Sequence, residues 1–174
     1  WAGLTVARVL RRSAADLDVT VVDRSAEFRS LPLSNAWLVG LGAEPRRQDH
    51  AATALAFGYR FVQAEVTSID RERRVIATRD GTLAYDWLVL APGVRNDYKA
   101  WFGNDTSAAA AVRERYPAGV HAEELAALKR KIAEFKGGDF AMVLPPGPSR
   151  CPPAPYERAV MAAWAFRRRG LKAR

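Results

Sequence analysis

One short segment carries residue types and spacings that can do chemistry: Arg150-Cys151-Pro152-Pro153-Ala154-Pro155-Tyr156-Glu157-Arg158. Cys151 is the single cysteine. Its sulfur can act as a nucleophile or redox group, or it can serve as a buried structural thiol. It lies within a proline-rich loop, Pro145 to Pro155, ahead of a helix expected over Pro155 to Arg169 with proline at the first helical position. A thiol beside a helix start, with Arg150 or Arg158 near, is favoured as the thiolate. Glu157 offers a carboxylate for proton transfer in a partly buried site. It equally suits a first-turn acid that complements the helix dipole. The prolines donate no backbone N–H, and Glu157 brings negative charge to where phosphates would lie. Nicotinamide dinucleotide binding at this crossover is therefore disfavoured.

A second group of residues points to a dinucleotide. Gly3 opens the first helix, and Asp23 closes the following strand twenty residues later. In a G-x-G-x-x-G turn the third glycine lets helix and strand pack closely, and an acid about 20 residues on bonds the ribose hydroxyls. Gly3 can be that third glycine, with the helix N-terminus facing a pyrophosphate. Many α/β strands also end on Asp with no ligand. Ala91-Pro92-Gly93, after an apolar run, permits close backbone approach to a cofactor or makes an ordinary strand-to-loop turn.

These residues need elements to hold them. Leu4, Val6, Ala7, Val9 and Leu10 suit a helix ending near Ser13 to Asp16, and Val19 to Asp23 reads as a buried parallel strand. Ser25 to Gly42 reads as a long irregular loop, and Arg46 to Gly58 as a helix. Strands are expected over Arg60 to Val66, on to Asp70, then Arg74 to Thr78 paired through Asp80-Gly81 with Thr82 to Tyr85. Trp87 to Ala91 reads as another buried strand, Asn96 to Ala118 as irregular, and Ala122 to Lys136 as a helix stopped by Gly137-Gly138. Asp139 to Leu144 is a last expected strand. This order gives an α/β protein with a mostly parallel, doubly wound, Rossmann-like sheet and a β-meander, and the meander places FAD ahead of NAD. The division expected is an FAD-binding domain over 1–108 and the start of a second Rossmann-like domain over 109–174. The chain opens directly on a helix and stops just past another, so a longer protein is expected around it, with any targeting signal outside.

Composition sets the outer limits. With 49% hydrophobic and 26% charged residues, the 174-residue chain is globular rather than disordered. No apolar run approaches the ~18 residues of a membrane helix. His50 and His121, far apart, argue against a zinc or haem site. Lys and Arg number 27 against 19 Asp and Glu, a net +8. The basic residues are scattered rather than gathered with aromatics, so nucleic acid is not the expected partner; an acidic protein or anionic cofactor remains compatible.

The cysteine segment resembles the signature of the flavoprotein (sulfide dehydrogenase) subunit of flavocytochrome c: arginine, cysteine, two prolines, a small residue, proline, tyrosine, glutamate, arginine. Pro32-Leu33-Ser34-Asn35 is similar to that family's flavin-side loop, and Leu90-Ala91-Pro92-Gly93 to its second FAD motif. Sulfide:quinone oxidoreductases are related but typically lack the double proline. The resemblance implies FAD-dependent sulfide oxidation, electrons passing to a c-type cytochrome subunit, and a periplasmic location. It also implies that Cys151 pairs with a cysteine far downstream, and that Glu157 is an acid/base near the flavin. The candidate catalytic residues are Cys151 and Glu157. The candidate cofactor-binding residues are Ala2, Gly3, Asp23, Arg24, Ser34, Asn35, Val66, Ala91, Pro92 and Gly93, with no metal ligands. Some relatives link FAD through a cysteine three residues before Ser34; here that position is Leu31, so FAD is expected to bind non-covalently. A quinone-reducing flavin disulfide reductase and a non-catalytic docking subunit are the alternatives. The isolated segment is expected to bind FAD poorly and to show no turnover.

Overall fold

The computed structural model describes residues 1–94, 98–119, 122–144 and 151–174. In chain order its elements are α1 (Ala2–Ser13), β1 (Thr20–Asp23), β2 (Glu27–Arg29), α2 (Ser34–Leu38), β3 (Arg47–Asp49), α3 (His50–Phe57), β4 (Arg60–Gln63), β5 (Val66–Asp70), β6 (Val75–Thr78), β7 (Gly81–Ala84), α4 (Lys99–Phe102), α5 (Thr106–Arg115), α6 (Ala122–Glu134) and α7 (Ala154–Arg168). They form two compact units, one of residues 1–29 and 47–94, the other of 30–46 and 95–174.

In the first unit β1 and β4 pair in parallel, Thr20 opposite Arg60 and Asp23 opposite Gln63. Buried Ala7, Ala54 and Tyr59, with Leu4, Val19, Val21, Phe57 and Phe61 around them, seat α1 and α3 against this pair. Small residues on the helices let backbone and strand approach closely. Asp49 caps α3, its side chain accepting from the Ala52 N–H at 2.6 Å. Gly58 then ends α3 at φ 72°. β5, β6 and β7 make an antiparallel meander, with a register shift between Val66 and Ser68.

The second unit is helical, and its core is aromatic. Phe166 of α7 is fully buried, its ring centroid 4.5 Å from Phe135 and 5.1 Å from Phe140. Leu38, Leu125, Ile132 and Ala162 complete the cluster, with Leu31 and Trp37 packed against it. Gly137 and Gly138, at φ 117° and 97°, turn the chain after α6. The Arg169 guanidinium donates to the carbonyls of Ile132, Ala133 and Phe135 at 2.6–2.8 Å, satisfying orphan acceptors at the end of α6.

The α/β class and the meander are as the residue pattern predicts; several local assignments are not. Trp87 to Ala91 forms no strand: Trp87 is 92% and Leu90 67% exposed. A buried strand requires a ladder, and no described strand runs beside this segment. Asp139 to Leu144 likewise forms no strand; a single bridge, from Gly138 to Ala173, lies just before it. The stretch read as a loop over Ser25 to Gly42 contains β2 and α2, and the N-terminal part of the helix expected from Arg46 is β3, antiparallel to β2. Asn96 to Ala118, read as irregular, holds α4 and α5. Four alanines favour helix, and the Asp105 side chain caps α5 by accepting from the Ala108 N–H at 2.8 Å.

Candidate functional site

The first unit holds most of the expected dinucleotide residues. Gly3 lies in the first turn of α1, and a Cβ there would stand 3.4 Å from the Ala91 Cβ. The helix start and the Ala91-Pro92-Gly93 segment thus approach to the edge of ordinary van der Waals contact. Gly93 itself is at φ 74°. Ala91, Pro92 and Gly93 are exposed, as is Ala2 at the beginning of α1. Asp23 ends β1 exposed, its Oδ1 accepting from the Ser25 N–H at 2.8 Å, which fixes the turn after the strand. The Arg24 carbonyl accepts from Gln63 Nε2 at 3.4 Å. Val66 opens β5 opposite Thr78. The glycine and the 91–93 segment are thus brought together; the chemistry is that of a cradle with exposed backbone and an acid at a strand end.

The second unit holds the thiol. Cys151 is exposed, and its carbonyl accepts from the Ala154 N–H at 3.1 Å, so the cysteine sits in the turn that leads into α7. Pro145 to Arg150, the first part of the expected cysteine loop, lies outside the described residues. So does His121. Glu157 is in the first turn of α7, where its charge complements the positive helix end.

What holds Glu157 is Asn35. Asn35 is 5% exposed, and its Nδ2 donates to Glu157 Oε2 at 2.6 Å and to the Ala154 carbonyl at 3.2 Å. Its Oδ1 accepts from Arg158 Nε at 2.9 Å. The reverse amide orientation would set oxygen against carboxylate and nitrogen against guanidinium, so the network itself fixes which way the amide points. Arg158 extends the network, donating to the carbonyls of Ala118 and, at 3.4 Å, Gly119. Burial pulls the Arg158 guanidinium below its ordinary pKa, against the opposing charges of Glu157 and Glu124. Glu124, 6% exposed, accepts from Arg113 Nε at 2.9 Å and from the Gly119 N–H at 3.1 Å.

Arg158 therefore faces Asn35 and two carbonyls, which departs from the expectation that it supports the thiolate. Asn35, expected beside a flavin, has its amide engaged with α7. Ser34 opens α2, its N–H donating to the Leu31 carbonyl at 3.0 Å. Leu33, between them, is 80% exposed and held at φ 67°. A leucine in the left-handed region is strained, and such outliers gather at functional loops. Sequence reading missed Glu124 and Arg113; a buried acid on an amphipathic helix gives no signal until its partner is placed.

Residues 1–115 match the family model described as pyridine nucleotide-disulphide oxidoreductase. Residues 125–174 match the model for the central part of the sulfide dehydrogenase [flavocytochrome c] flavoprotein chain. Among solved structures, the sulfide:quinone oxidoreductase from the hyperthermophilic bacterium Aquifex aeolicus is similar, with 23% sequence identity and a TM-score of 0.75. The match covers 98% of this chain and 39% of that one. At this identity the likeness is one of fold.

Proposed function

The chain belongs to the pyridine nucleotide-disulphide oxidoreductase family, and on that premise we propose that it supplies the dinucleotide-binding and first redox-cysteine portion of an FAD-dependent sulfide dehydrogenase. The observation that carries this reading is the cysteine turn: an exposed thiol at the start of α7, inside the region that matches the flavocytochrome c flavoprotein model. The residues present fit a dinucleotide. A Cβ at Gly3 would already stand 3.4 Å from the Ala91 Cβ, and Asp23 stands exposed at a strand end. Gly3 and the α1 N-terminus would take the pyrophosphate, Asp23 the ribose hydroxyls, and Ala91 to Gly93 the cofactor along exposed backbone. FAD, when bound, supplies a two-electron acceptor.

Cys151 acts through its sulfur. Paired with a second cysteine of the complete protein, it forms a disulfide; sulfide attacks one sulfur, an S–S bond breaks, and one cysteine leaves as thiolate while the other carries the persulfide. Glu157 gives or takes the proton that accompanies the change in charge at sulfur. Leu31 has no nucleophile and packs against the core cluster, which supports a flavin held without a covalent link at this position. A c-type cytochrome receives the electrons, in a periplasmic protein. Among the described residues no helix is long and apolar enough to cross a membrane. The fold shared with a quinone-reducing enzyme supports a second reading, in which the acceptor is a quinone.

The test uses the complete protein carrying this chain. Acid precipitation is expected to release FAD into the supernatant, and sulfide to drive cytochrome c reduction faster than reduction of a quinone analogue. Cys151→Ser is expected to keep FAD and lose sulfide turnover. Protein without flavin and without sulfide-dependent reduction overturns the proposal, and retained turnover in Cys151→Ser removes that thiol from the mechanism.

A further inference from the structure

We infer that Asn35 is a positioning residue, holding the Glu157 carboxylate in one orientation for proton transfer; this rests on the role proposed for Glu157. A glutamate in the first turn of an exposed helix face ordinarily samples several rotamers, since water serves its oxygens equally well in each. Glu157 is different. Its Oε2 accepts from Asn35 Nδ2 at 2.6 Å, and that amide is 95% removed from solvent. The amide cannot follow the carboxylate if it moves, because its oxygen is fixed by Arg158 Nε at 2.9 Å and its nitrogen also meets the Ala154 carbonyl at 3.2 Å. Arg158 is anchored in turn on the Ala118 and Gly119 carbonyls. A buried amide with three partners thus grips one oxygen of an exposed carboxylate. Among the described residues nothing bonds Oε1, which is the atom left to carry a proton. The hydrogen bond crosses from α2 to α7, so the short 34–38 helix, which has little other length to bury, sets the geometry of the group beside the cysteine turn.

The test is a double-mutant cycle in the complete, FAD-loaded protein, read as the rate of flavin reduction by sulfide in single turnover. Asn35→Ala is expected to slow this step about tenfold per bound flavin, a fraction of what a general acid or base contributes, with KM for sulfide unchanged. In the Glu157→Gln background, already slow, the same substitution is expected to change the rate less than about twofold, because the group it positions no longer transfers protons. Asn35→Asp gives the same comparison should the alanine variant fail to fold. It keeps the acceptor for Arg158 but removes both donations of Nδ2, to Glu157 and to the Ala154 carbonyl, and sets a second carboxylate against Glu157, so a loss of rate per folded, flavin-loaded molecule is expected in the parent background and little further loss in Glu157→Gln. Equal slowing by Asn35→Ala in both backgrounds would assign Asn35 a merely structural part and overturn the inference alone. An undiminished rate in Glu157→Gln would overturn the role of Glu157 itself, and the inference with it.

Discussion

Replacing Arg158 by lysine tests whether the polar network at the start of α7 is a geometric device or a simple attraction of charges. The guanidinium reaches Asn35 Oδ1, the Ala118 carbonyl and the Gly119 carbonyl from one plane. An ammonium keeps the charge but offers one point of donation, so at least one of these acceptors loses its donor. A buried acceptor left without a partner costs about 1–3 kcal/mol. The ammonium stays charged and desolvated, so one or two such losses give a destabilisation of about 3 kcal/mol. For a chain of this size that lowers Tm by about 6–12 °C. Urea unfolding followed by far-ultraviolet circular dichroism on the 174-residue chain measures it directly, and an unchanged slope against urea shows that the same structure is being unfolded. Arg158→Met should lose at least as much. If Arg158→Lys is as stable as the parent within about 0.5 kcal/mol, the network stabilises through charge alone and the geometric account is wrong.

Three further outcomes are expected. Gly137→Ala places a Cβ 2.9 Å from the Lys172 carbonyl oxygen at φ 117°, so both sterics and backbone oppose it; a loss of about 2–4 kcal/mol in urea unfolding is expected, and a loss below about 1 would show that the turn relaxes. Leu33→Gly relieves a left-handed leucine and should leave stability unchanged or raise it by up to about 1 kcal/mol, while FAD retention in the complete protein falls; a clear destabilisation would show that Leu33 packs rather than waits for a ligand. The Asp105 carboxyl is held below its usual 3.8 chiefly by the Ala108 N–H and then by the Ser107 hydroxyl. Its capping therefore stabilises α5 above that value and is lost as pH falls through the lowered one. Amide exchange at Ala108 should rise over that acid window, and Asp105→Asn, which caps without titrating, should not show the rise.

The helices that bracket the chemistry could be read from the residues because each carries its own punctuation: Pro155 at the start of α7, Gly137-Gly138 after α6. α5 carried one too, in Asp105, but the polyalanine that follows has no amphipathic period to mark it. Trp87 to Ala91 shows the opposite case. Its composition is that of a buried strand, yet strands exist through neighbours, and a run of apolar residues does not name its partner. β2 and β3, three residues each, are too short to leave any periodicity. Of the site, the thiol and Glu157 were visible through their motif. The contact that orients Glu157 was not, because Asn35 lies 122 residues away.

The two halves of α7 are held by different physics, and this bears on how the site responds to change. Its C-terminal half is anchored by Phe166 in an aromatic cluster and by Arg169 on three carbonyls of α6. Its first turn has Cys151 before it and Glu157 and Arg158 within it, and it is tied by hydrogen bonds to Asn35 and the 118–119 turn. Apolar packing is non-directional, so loss of volume near Phe166 subtracts stability without specifying a new orientation at the helix start. Hydrogen bonds are directional, so a change at Asn35 or Arg158 redirects a carboxylate even where the fold survives. Substitutions in the core should therefore act on how much folded protein there is, and substitutions in the polar network on what each folded molecule does. On the function proposed above, a cysteine turn that presents its sulfur to a small nucleophile is better served by the second kind of control, because a few directional bonds set an angle that bulk packing leaves loose.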